Sequence, residues 1–158
     1  DSLARMNDLA VRFGDIDVYL FDQLLRGRIA PGMRVLDAGC GLGDGLIALR
    51  QAYPLARLEG LEWSRPLRWL CARRCPWAQV HWGDMWRADW SGYQLVYLFQ
   101  RPESMARAAA KAQAEMAPGA WLVSLEFAVP GWPTHGQLHH APGGRPVWVY
   151  RMPGGTPL

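Results

Sequence analysis

The amino-acid sequence predicts an α/β fold: a Rossmann-like, doubly wound and mostly parallel sheet in a single domain, with a C-terminal antiparallel hairpin. Three observations support this prediction. Short apolar segments alternate with helical segments, as they do in βαβ units. A glycine-rich turn separates the first apolar segment from the helix that follows it. The Gly- and Pro-rich tail contains two weaker strand segments that suit a hairpin.

The first half of the chain predicts an N-terminal helical segment, residues 1–30, and then alternating strands and helices. Apolar residues recur near helical period between Ile16 and Ile29, and Ala30-Pro31-Gly32 ends this segment. Ser64 with Pro66 just inside is typical of a helix start. The predicted strands are 33–37, 56–61 and 79–82, and the predicted helices are 42–53 and 64–75.

The second half predicts two further parallel strands around an alanine-rich helix. Residues 94–99 are almost continuously apolar, as expected of a strand that is covered on both faces. Pro118-Gly119 ends the helix predicted at 103–116. A fifth strand is predicted at 120–127, and the hairpin strands are predicted at 137–140 and 146–151.

Composition excludes several classes of protein. At 158 residues and 17.8 kDa the chain has the size of one domain. The net charge is only +3 and no long basic run occurs, so there is no strong nucleic-acid signal. The three cysteines form no C-x-x-C pair, which favours a reducing compartment and a cytoplasmic location. The four histidines show no zinc spacing, so no metal site is predicted, and no apolar run is long enough for a membrane span.

The glycine-rich turn is the strongest motif. Gly39, Gly41 and Gly43 have the spacing G-x-G-x-G, and Asp44 stands where a dinucleotide fingerprint requires glycine. Asp37 lies two residues before the first glycine, and a carboxylate there repels a pyrophosphate but attracts a cationic ligand. S-adenosylmethionine carries an ammonium and a sulfonium group, so it is the predicted cofactor.

Two further acidic residues fit the same ligand. Glu62 stands at the end of the second strand, where a carboxylate can accept hydrogen bonds from both ribose hydroxyls. Asp84 and Met85 follow the third strand, where an acceptor can bind an adenine amino group. Glu59 lies in mid-strand and is predicted to be structural, paired with Arg57.

These residues together resemble the class I (seven-strand) S-adenosylmethionine-dependent methyltransferases. The resemblance spans about 33–128 and rests on Asp37-Ala-Gly39-Cys-Gly41-Leu-Gly43, Glu62, Gly83-Asp84 and the segment 116–123. It implies that Asp37 and the loop, Gly39, Cys40, Gly41 and Gly43, hold the methionine part of the cofactor. It also implies that Glu62 binds the ribose and Asp84 the adenine, and that residues 31–158 form the methyltransferase domain. Cys40 is predicted to be a small filler and not a nucleophile.

A narrower resemblance covers three further segments. Gly60-Leu-Glu62-Trp-Ser-Arg-Pro66, Val96-Tyr-Leu-Phe99 and the segment 122–131 are similar to small methyltransferases related to the FAM173 protein-lysine methyltransferase family. This resemblance implies an amine acceptor, with a protein lysine as the leading candidate.

The acceptor is expected over the ends of the fourth and fifth strands. Gln100 could orient it and Glu126 could hold or deprotonate a cation, and these two are the candidate catalytic residues. The alternatives are that Gln100 caps the next helix and that Glu126 pairs with an arginine. The Asn-Pro-Pro-Tyr signature of many adenine- and glutamine-directed methyltransferases is missing after the fourth strand.

Six of the nine tryptophans lie between Trp63 and Trp90. Trp63 directly follows Glu62 and is predicted to cover the adenine, and Trp86 and Trp90 are candidates for lining the same pocket. Trp69, Trp77 and Trp82 are predicted to pack in the interior, as are Tyr97 and Phe99.

Three readings of the function remain open at the level of sequence. The first is an active methyltransferase whose open cleft accepts a protein lysine or, as the alternative, a small molecule. The second is an S-adenosylmethionine-binding module without catalysis. The third is an NAD-dependent oxidoreductase, against which Asp37 and Asp44 both count.

Overall fold

The computed structural model describes residues 27–134, 136–138 and 146–153. These residues form a sheet of seven strands in the order β3-β2-β1-β4-β5-β7-β6. The strands are β1 (Arg34–Ala38), β2 (Arg57–Glu62), β3 (Gln79–Trp82), β4 (Leu95–Leu98), β5 (Trp121–Leu125), β6 (Gly136–Leu138) and β7 (Val147–Arg151). The helices of this part of the chain are α1 (Asp44–Ala52), α2 (Arg65–Arg74) and α3 (Pro102–Glu115).

Strands β1 to β5 are parallel, and β7 pairs antiparallel with both β5 and β6. The predicted mostly parallel, doubly wound sheet with a C-terminal antiparallel hairpin is therefore confirmed. The continuous apolar character of β4 has the expected cause, because all four of its residues are buried.

Two apolar cores lie on opposite faces of the sheet. Val35 and Leu95 pack in the core that includes Leu46 and Leu49 of α1. The next residue of each strand, Leu36 or Val96, packs in the other core, to which α3 contributes its buried residues. This alternation follows from the two-residue period of a strand. It places α1 and α3 on opposite faces and leaves the strand ends open between them.

Several predicted boundaries differ from the structure. The predicted N-terminal helix does not extend through residues 27–30, which form a turn and a bend, and its other residues lie outside the described part. Strand β5 ends at Leu125, two residues early, because Glu126 has a φ of 72° that no strand residue adopts. Strand β6 begins at Gly136, one residue earlier than predicted, and the predicted strand residues 139–140 are not described. The domain division at 30/31 stays a prediction.

Glu59 in the middle of β2 is buried and joins three neighbouring segments. Arg34 Nε in β1 donates to Glu59 Oε2 at 2.9 Å, and the Tyr93 hydroxyl donates to Oε1 at 3.0 Å. His81 Nε2 in β3 lies 3.0 Å from the same Oε1. The structural role predicted for Glu59 agrees with these contacts, but the predicted partner Arg57 is wrong. Arg34 reaches across from the adjacent strand and stacks on the Tyr93 ring at 4.3 Å, which holds its guanidinium in place.

The contacts of Glu59 make its charged form part of the fold. Burial alone would raise the pKa of Glu59, but hydrogen bonds from Arg34, His81 and Tyr93 outweigh it, so this pKa is lowered from its ordinary value of 4.5. A lowered folded-state pKa contributes stability that is present above the unfolded pKa and is lost as the pH falls through the folded one.

None of the helices in the described part combines the length and the apolar character that crossing a bilayer requires.

Replacing Glu59 by glutamine is expected to lower the free energy of unfolding at pH 7 by about 2–3 kcal/mol, because Arg34 loses its negatively charged partner and one of the two acceptor oxygens becomes an NH2 donor. The measurement is urea unfolding between pH 7 and pH 3. The difference in the free energy of unfolding between the native chain and Glu59→Gln should narrow as the pH falls below about 4, because the unfolded chain then takes up a proton at Glu59 that the folded state binds less readily.

Glu103→Gln is the matched control, since it removes the same charge from an exposed position in the first turn of α3. It should change the free energy of unfolding by less than about 0.5 kcal/mol. Equal losses in the two variants would contradict the role assigned to Glu59.

Candidate active site

The carboxyl ends of β1 and β4 lie side by side at the point where the strand order of the sheet changes direction. In open α/β sheets, ligands bind in the crevice beyond the strand ends at such a point. The glycine loop, residues 39–43, directly follows β1, and Gln100 lies two residues beyond the end of β4. The topology therefore brings the loop and Gln100 to the same crevice.

The glycine loop is closed on its inner side and open on its outer side. A Cβ atom at Gly43, which has a φ of 95°, would lie 2.7 Å from the Cys75 sulfur. A Cβ atom at Gly41, with a φ of 54°, would meet no atom within 4 Å. Glycine is thus needed at Gly43 for packing and for its backbone angle, whereas Gly41 borders free space in which a ligand can lie.

Gln100 and Met85 flank the first glycine of the loop. A Cβ atom at Gly39 would lie 3.5 Å from Gln100 Nε2 and 3.8 Å from the Met85 sulfur. Helix α3 has Arg101 as its N-cap and no side-chain capping bond, so the alternative in which Gln100 caps this helix does not hold. The Gln100 amide instead extends toward the glycine loop.

Glu62 fastens the loop to the end of β2. Its Oε1 accepts the Gly41 N–H at 3.0 Å and its Oε2 accepts the Ser64 N–H at 2.8 Å. The side chain is buried, yet a carboxylate offers about four acceptor sites, so two remain for hydroxyl donors. This anchoring role was not predicted from the sequence, in which nothing marks Gly41 as a donor to Glu62.

Asp37 is buried at the base of the loop. A Cβ atom at Gly45 would lie 2.6 Å from both Asp37 Oδ2 and Tyr97 Cε1, so only glycine lets α1 approach this carboxylate. Gly45 was not predicted as a site residue, although it is the fourth glycine of an alternating series. Tyr97 is 4 % exposed, in agreement with the interior position predicted for it.

The residues predicted to surround the adenosine adopt different environments. Met85 is buried beside the loop, whereas Asp84 is exposed and its Oδ1 accepts the Trp86 N–H at 2.9 Å. Trp63 is 77 % exposed at the mouth of the crevice, and its carbonyl accepts the Trp82 Nε1–H at 2.7 Å. The role predicted for Trp63, covering the adenine, stays a prediction.

Several predictions for aromatic residues are wrong. Trp90 does not line the pocket, because it is completely buried in the core beside α3. Trp69 and Trp82 are not interior residues: they are 53 % and 55 % exposed. Phe99 is also exposed, because it follows the last residue of β4 at the rim of the crevice.

Two further groups lie near the ends of β4 and β5, where the methyl acceptor is expected. Phe99 packs edge-on against Phe127, with ring centroids 6.4 Å apart. Between Phe127 and β5 lies Glu126, whose N–H donates to the Pro146 carbonyl at 2.7 Å and whose carbonyl accepts the Trp148 Nε1–H at 3.0 Å. These bonds hold Glu126 in a left-handed conformation that is rare for residues other than glycine and is often found at functional sites. Phe127 was predicted only as the last residue of the fifth strand, near the position expected for the acceptor, and was given no role of its own.

Three buried thiols lie beneath the loop. The sulfurs of Cys40 and Cys71 are 3.6 Å apart, and Cys75 Sγ lies 3.8 Å from the Gly43 carbonyl. Hydrogen bonding with Cys71 and then burial raise the pKa of the Cys40 thiol, which suits the filler role predicted for it. Within the described ranges, no group of His, Cys, Asp and Glu side chains has a geometry that could hold a metal ion.

The residues around the crevice fit S-adenosylmethionine. The buried Asp37 suits its positive charges, the remaining acceptor sites of Glu62 suit the ribose hydroxyls, and the open space above Gly41 admits the ligand close to the backbone. A Gly-rich loop after β1 preceded by Asp37, an acid at the end of β2, and a seven-strand sheet with β7 antiparallel are together typical of the class I methyltransferases.

Comparison with known proteins agrees with this class and gives the family. The family model of the ANTKMT methyltransferase domain matches residues 37–136, so the chain belongs to this family. The predicted relation to the class I S-adenosylmethionine-dependent methyltransferases of the FAM173 type is thereby confirmed.

Two curated relatives and one solved structure illustrate the similarity. The ATP synthase C-subunit lysine N-methyltransferase of Mus musculus is 29 % identical over 138 residues, covering 82 % of this chain and 52 % of the relative. A dTDP-4-amino-2,3,4,6-tetradeoxy-D-glucose N,N-dimethyltransferase of Saccharopolyspora spinosa is 35 % identical over 82 residues, covering 52 % of this chain and 30 % of that enzyme. The chain thus spans about half the length, or less, of these curated relatives.

Among solved structures, an RNA methyltransferase from Salinibacter ruber in complex with S-adenosyl-L-homocysteine has a similar fold. Its TM-score is 0.69 at 21 % sequence identity, and the match covers 95 % of this chain and 92 % of that one.

Gly41→Ala is expected to weaken S-adenosylmethionine binding by at least about tenfold, because the added methyl group enters the space above the loop and strains the left-handed backbone. Isothermal titration calorimetry measures the dissociation constant. Gly32→Ala is the matched control: Gly32 also has a positive φ and open space around it, but it lies in the turn before β1. Both variants should lose about 1 kcal/mol of stability, and only the first should lose affinity. Equal affinities would contradict the location of the site.

Trp63→Ala should weaken the same affinity by about five- to fiftyfold, since stacking of a base on an aromatic ring contributes about 1–3 kcal/mol. Trp69→Ala, which removes another exposed indole, should leave the affinity unchanged. Calorimetry of both variants decides this, and a loss of affinity confined to the Trp69 variant would refute the role of Trp63.

Proposed function

We propose that this chain transfers a methyl group from S-adenosylmethionine to an amine, and that the amine is a protein lysine side chain. The observation that carries the proposal is the arrangement at the loop, where Gln100 and Met85 flank Gly39 and Glu62 binds the Gly41 N–H. Membership of the ANTKMT family and similarity to lysine N-methyltransferases support the choice of acceptor.

Bound S-adenosylmethionine supplies an electrophilic methyl group, and the acceptor nitrogen must reach it with a free lone pair. Lysine has an ordinary pKa of about 10.4, so the site must favour loss of a proton. Glu126, the residue directly after β5, would hold the ammonium and take its proton. Gln100 at the end of β4 would orient the nitrogen toward the methyl group, because its amide lies beside the loop.

The rim of the crevice suits an acceptor presented from outside. The exposed Phe99 packs against the half-buried Phe127 beside Glu126, and such rings accommodate the methylene chain of a lysine. A small-molecule amine is the second candidate, because the similarity to the sugar N,N-dimethyltransferase favours it. A cytoplasmic location is part of the proposal and is supported by the three free, buried cysteines.

The test is incubation of the full chain with methyl-tritiated S-adenosylmethionine and a cell lysate. Glu62→Gln should raise the dissociation constant for the cofactor by at least about tenfold, since a hydrogen bond to a charged group contributes about 1.5–3 kcal/mol. When the concentration of S-adenosylmethionine is below the dissociation constant, Glu62→Gln should also reduce the amount of label transferred by the same factor. Glu103→Gln, an exposed carboxylate on α3, is the matched control and should label like the native chain.

Labelled methyl-lysine in hydrolysed protein bands supports the lysine acceptor. Label that is confined to small amines would show that the acceptor is a small molecule. Tight cofactor binding without any labelled product would leave a non-catalytic binding module and overturn the proposal.

A further inference from the structure

Helix α2 presents an aromatic and basic surface next to the edge strand β3. We call Arg65, Arg68, Trp69, Leu70, Arg73 and Trp82 the Trp–Arg surface. Its apolar members are unusually exposed for large side chains: Trp69 at 53 %, Leu70 at 40 % and Trp82 at 55 %. Leu67, one turn before Leu70, adds a further exposed side chain.

Helix α2 buries few of its side chains against the rest of the domain. Only Cys71 of its ten residues is buried, whereas α1 buries three residues and α3 four. A helix that carries two leucines and a tryptophan usually turns them toward the core. Here these side chains face outward, and exposed apolar patches of this kind mark interaction sites.

The surface carries uncompensated positive charge. Neither α2 nor β3 contains an acidic residue. Among the described residues, no carboxylate forms an ion pair with Arg65, Arg68 or Arg73, whereas Arg74 on the same helix pairs with Asp44 at 3.1 Å. The missing partner is therefore expected to be anionic.

An open groove of about 480 Å³ lies in this surface, and its lining residues are Arg65, Arg68, Trp69, Val80, His81 and Trp82. Arg68 Nε donates to the Val80 carbonyl at 2.9 Å, which holds this guanidinium at the groove. Arginine side chains fixed beside indoles suit phosphate groups that lie against an apolar layer.

We propose that the Trp–Arg surface binds the interface of an anionic phospholipid bilayer. Arg65, Arg68 and Arg73 contact the headgroup phosphates, while Trp69, Leu70 and Trp82 insert at the boundary of the acyl chains. Tryptophan favours this boundary because its ring is apolar and its N–H is polar, and basic residues are attracted to the negative surface potential.

Two other occupants fit the surface less well. Single-stranded RNA would stack its bases on the indoles, but Arg65 already covers the Trp82 ring at 4.2 Å and Arg73 covers the Trp69 ring at 4.8 Å. A second copy in a symmetric dimer would place the three arginines against the same three arginines, and like charges repel. An anionic lipid layer offers phosphates to the arginines and an apolar interior to Trp69, Leu70 and Trp82.

The test is sedimentation of the full chain with vesicles of phosphatidylcholine, alone or mixed with phosphatidylglycerol. The native chain should bind the mixed vesicles and not the neutral ones, and added salt should weaken binding. The double variant Arg65→Gln/Arg73→Gln should weaken binding by at least about tenfold, because it removes two positive charges that the negative surface potential of the vesicle attracts.

The matched control is Arg50→Gln/Arg107→Gln. These arginines also stack on indoles, Trp77 at 4.5 Å and Trp86 at 4.3 Å, but they belong to α1 and α3. The control should lose less than about twofold in affinity. Trp69→Ser should also weaken binding, whereas Leu55→Ser, which removes another exposed apolar side chain, should not.

Thermal unfolding and cofactor titration of each variant establish that it is folded, and neither readout depends on methyl transfer. The proposal is overturned if the native chain ignores anionic vesicles, or if the two double variants lose affinity equally. It is also overturned if the Arg65/Arg73 variant instead abolishes binding of a single-stranded RNA oligonucleotide or a dimer detected by sedimentation velocity.

Discussion

The candidate site depends on one set of hydrogen bonds, those that hold the glycine loop to β2. Three consecutive N–H groups of the loop point at the end of this strand: Gly39 and Cys40 donate to the Leu61 carbonyl at 2.8 and 3.0 Å, and Gly41 donates to Glu62 at 3.0 Å. Because the loop is fixed in this way, its outer side stays open and its distance from Gln100 is defined. The second Glu62 oxygen accepts from Ser64, so the same carboxylate also sets the start of α2.

Much of the fold and of this loop could be predicted because the signals are local. An apolar run, a glycine spacing and an acid at a strand end are each read within a few residues, and the carboxyl ends of parallel strands meet at one edge of the sheet by topology alone. Asp37, the loop glycines and Glu62 were all predicted from such local signals. The ending of β5 at Leu125 was missed, because it depends on hydrogen bonds that Glu126 makes with Pro146 and Trp148.

The errors share a physical cause, which is that burial is decided by contacts between distant segments. Trp90 and Trp82 have similar surroundings in the sequence, yet Trp90 is enclosed beneath α3 and Trp82 lies on the outermost strand. Glu59 has Arg57 two residues away but bonds to Arg34, because the parallel register puts β1 beside it. A sequence pattern indicates that a residue is apolar or charged, but the sheet order decides what it meets.

The cofactor site and the Trp–Arg surface are joined by short links. Trp82 of the surface donates to the carbonyl of Trp63, the residue predicted to cover the adenine. Ser64, the N-cap of α2, donates its N–H to Glu62. A lipid surface bound along α2 is therefore connected, through these two hydrogen bonds, to the two residues that border the proposed adenosine position. The strand order also sets how the domain would face a membrane. A bilayer bound to α2 and Trp82 lies on the β3 side of the crevice, whereas Gln100 and Glu126 follow β4 and β5 on the other side of β1. An acceptor could then approach from solvent while the adenosine side faces the bound surface.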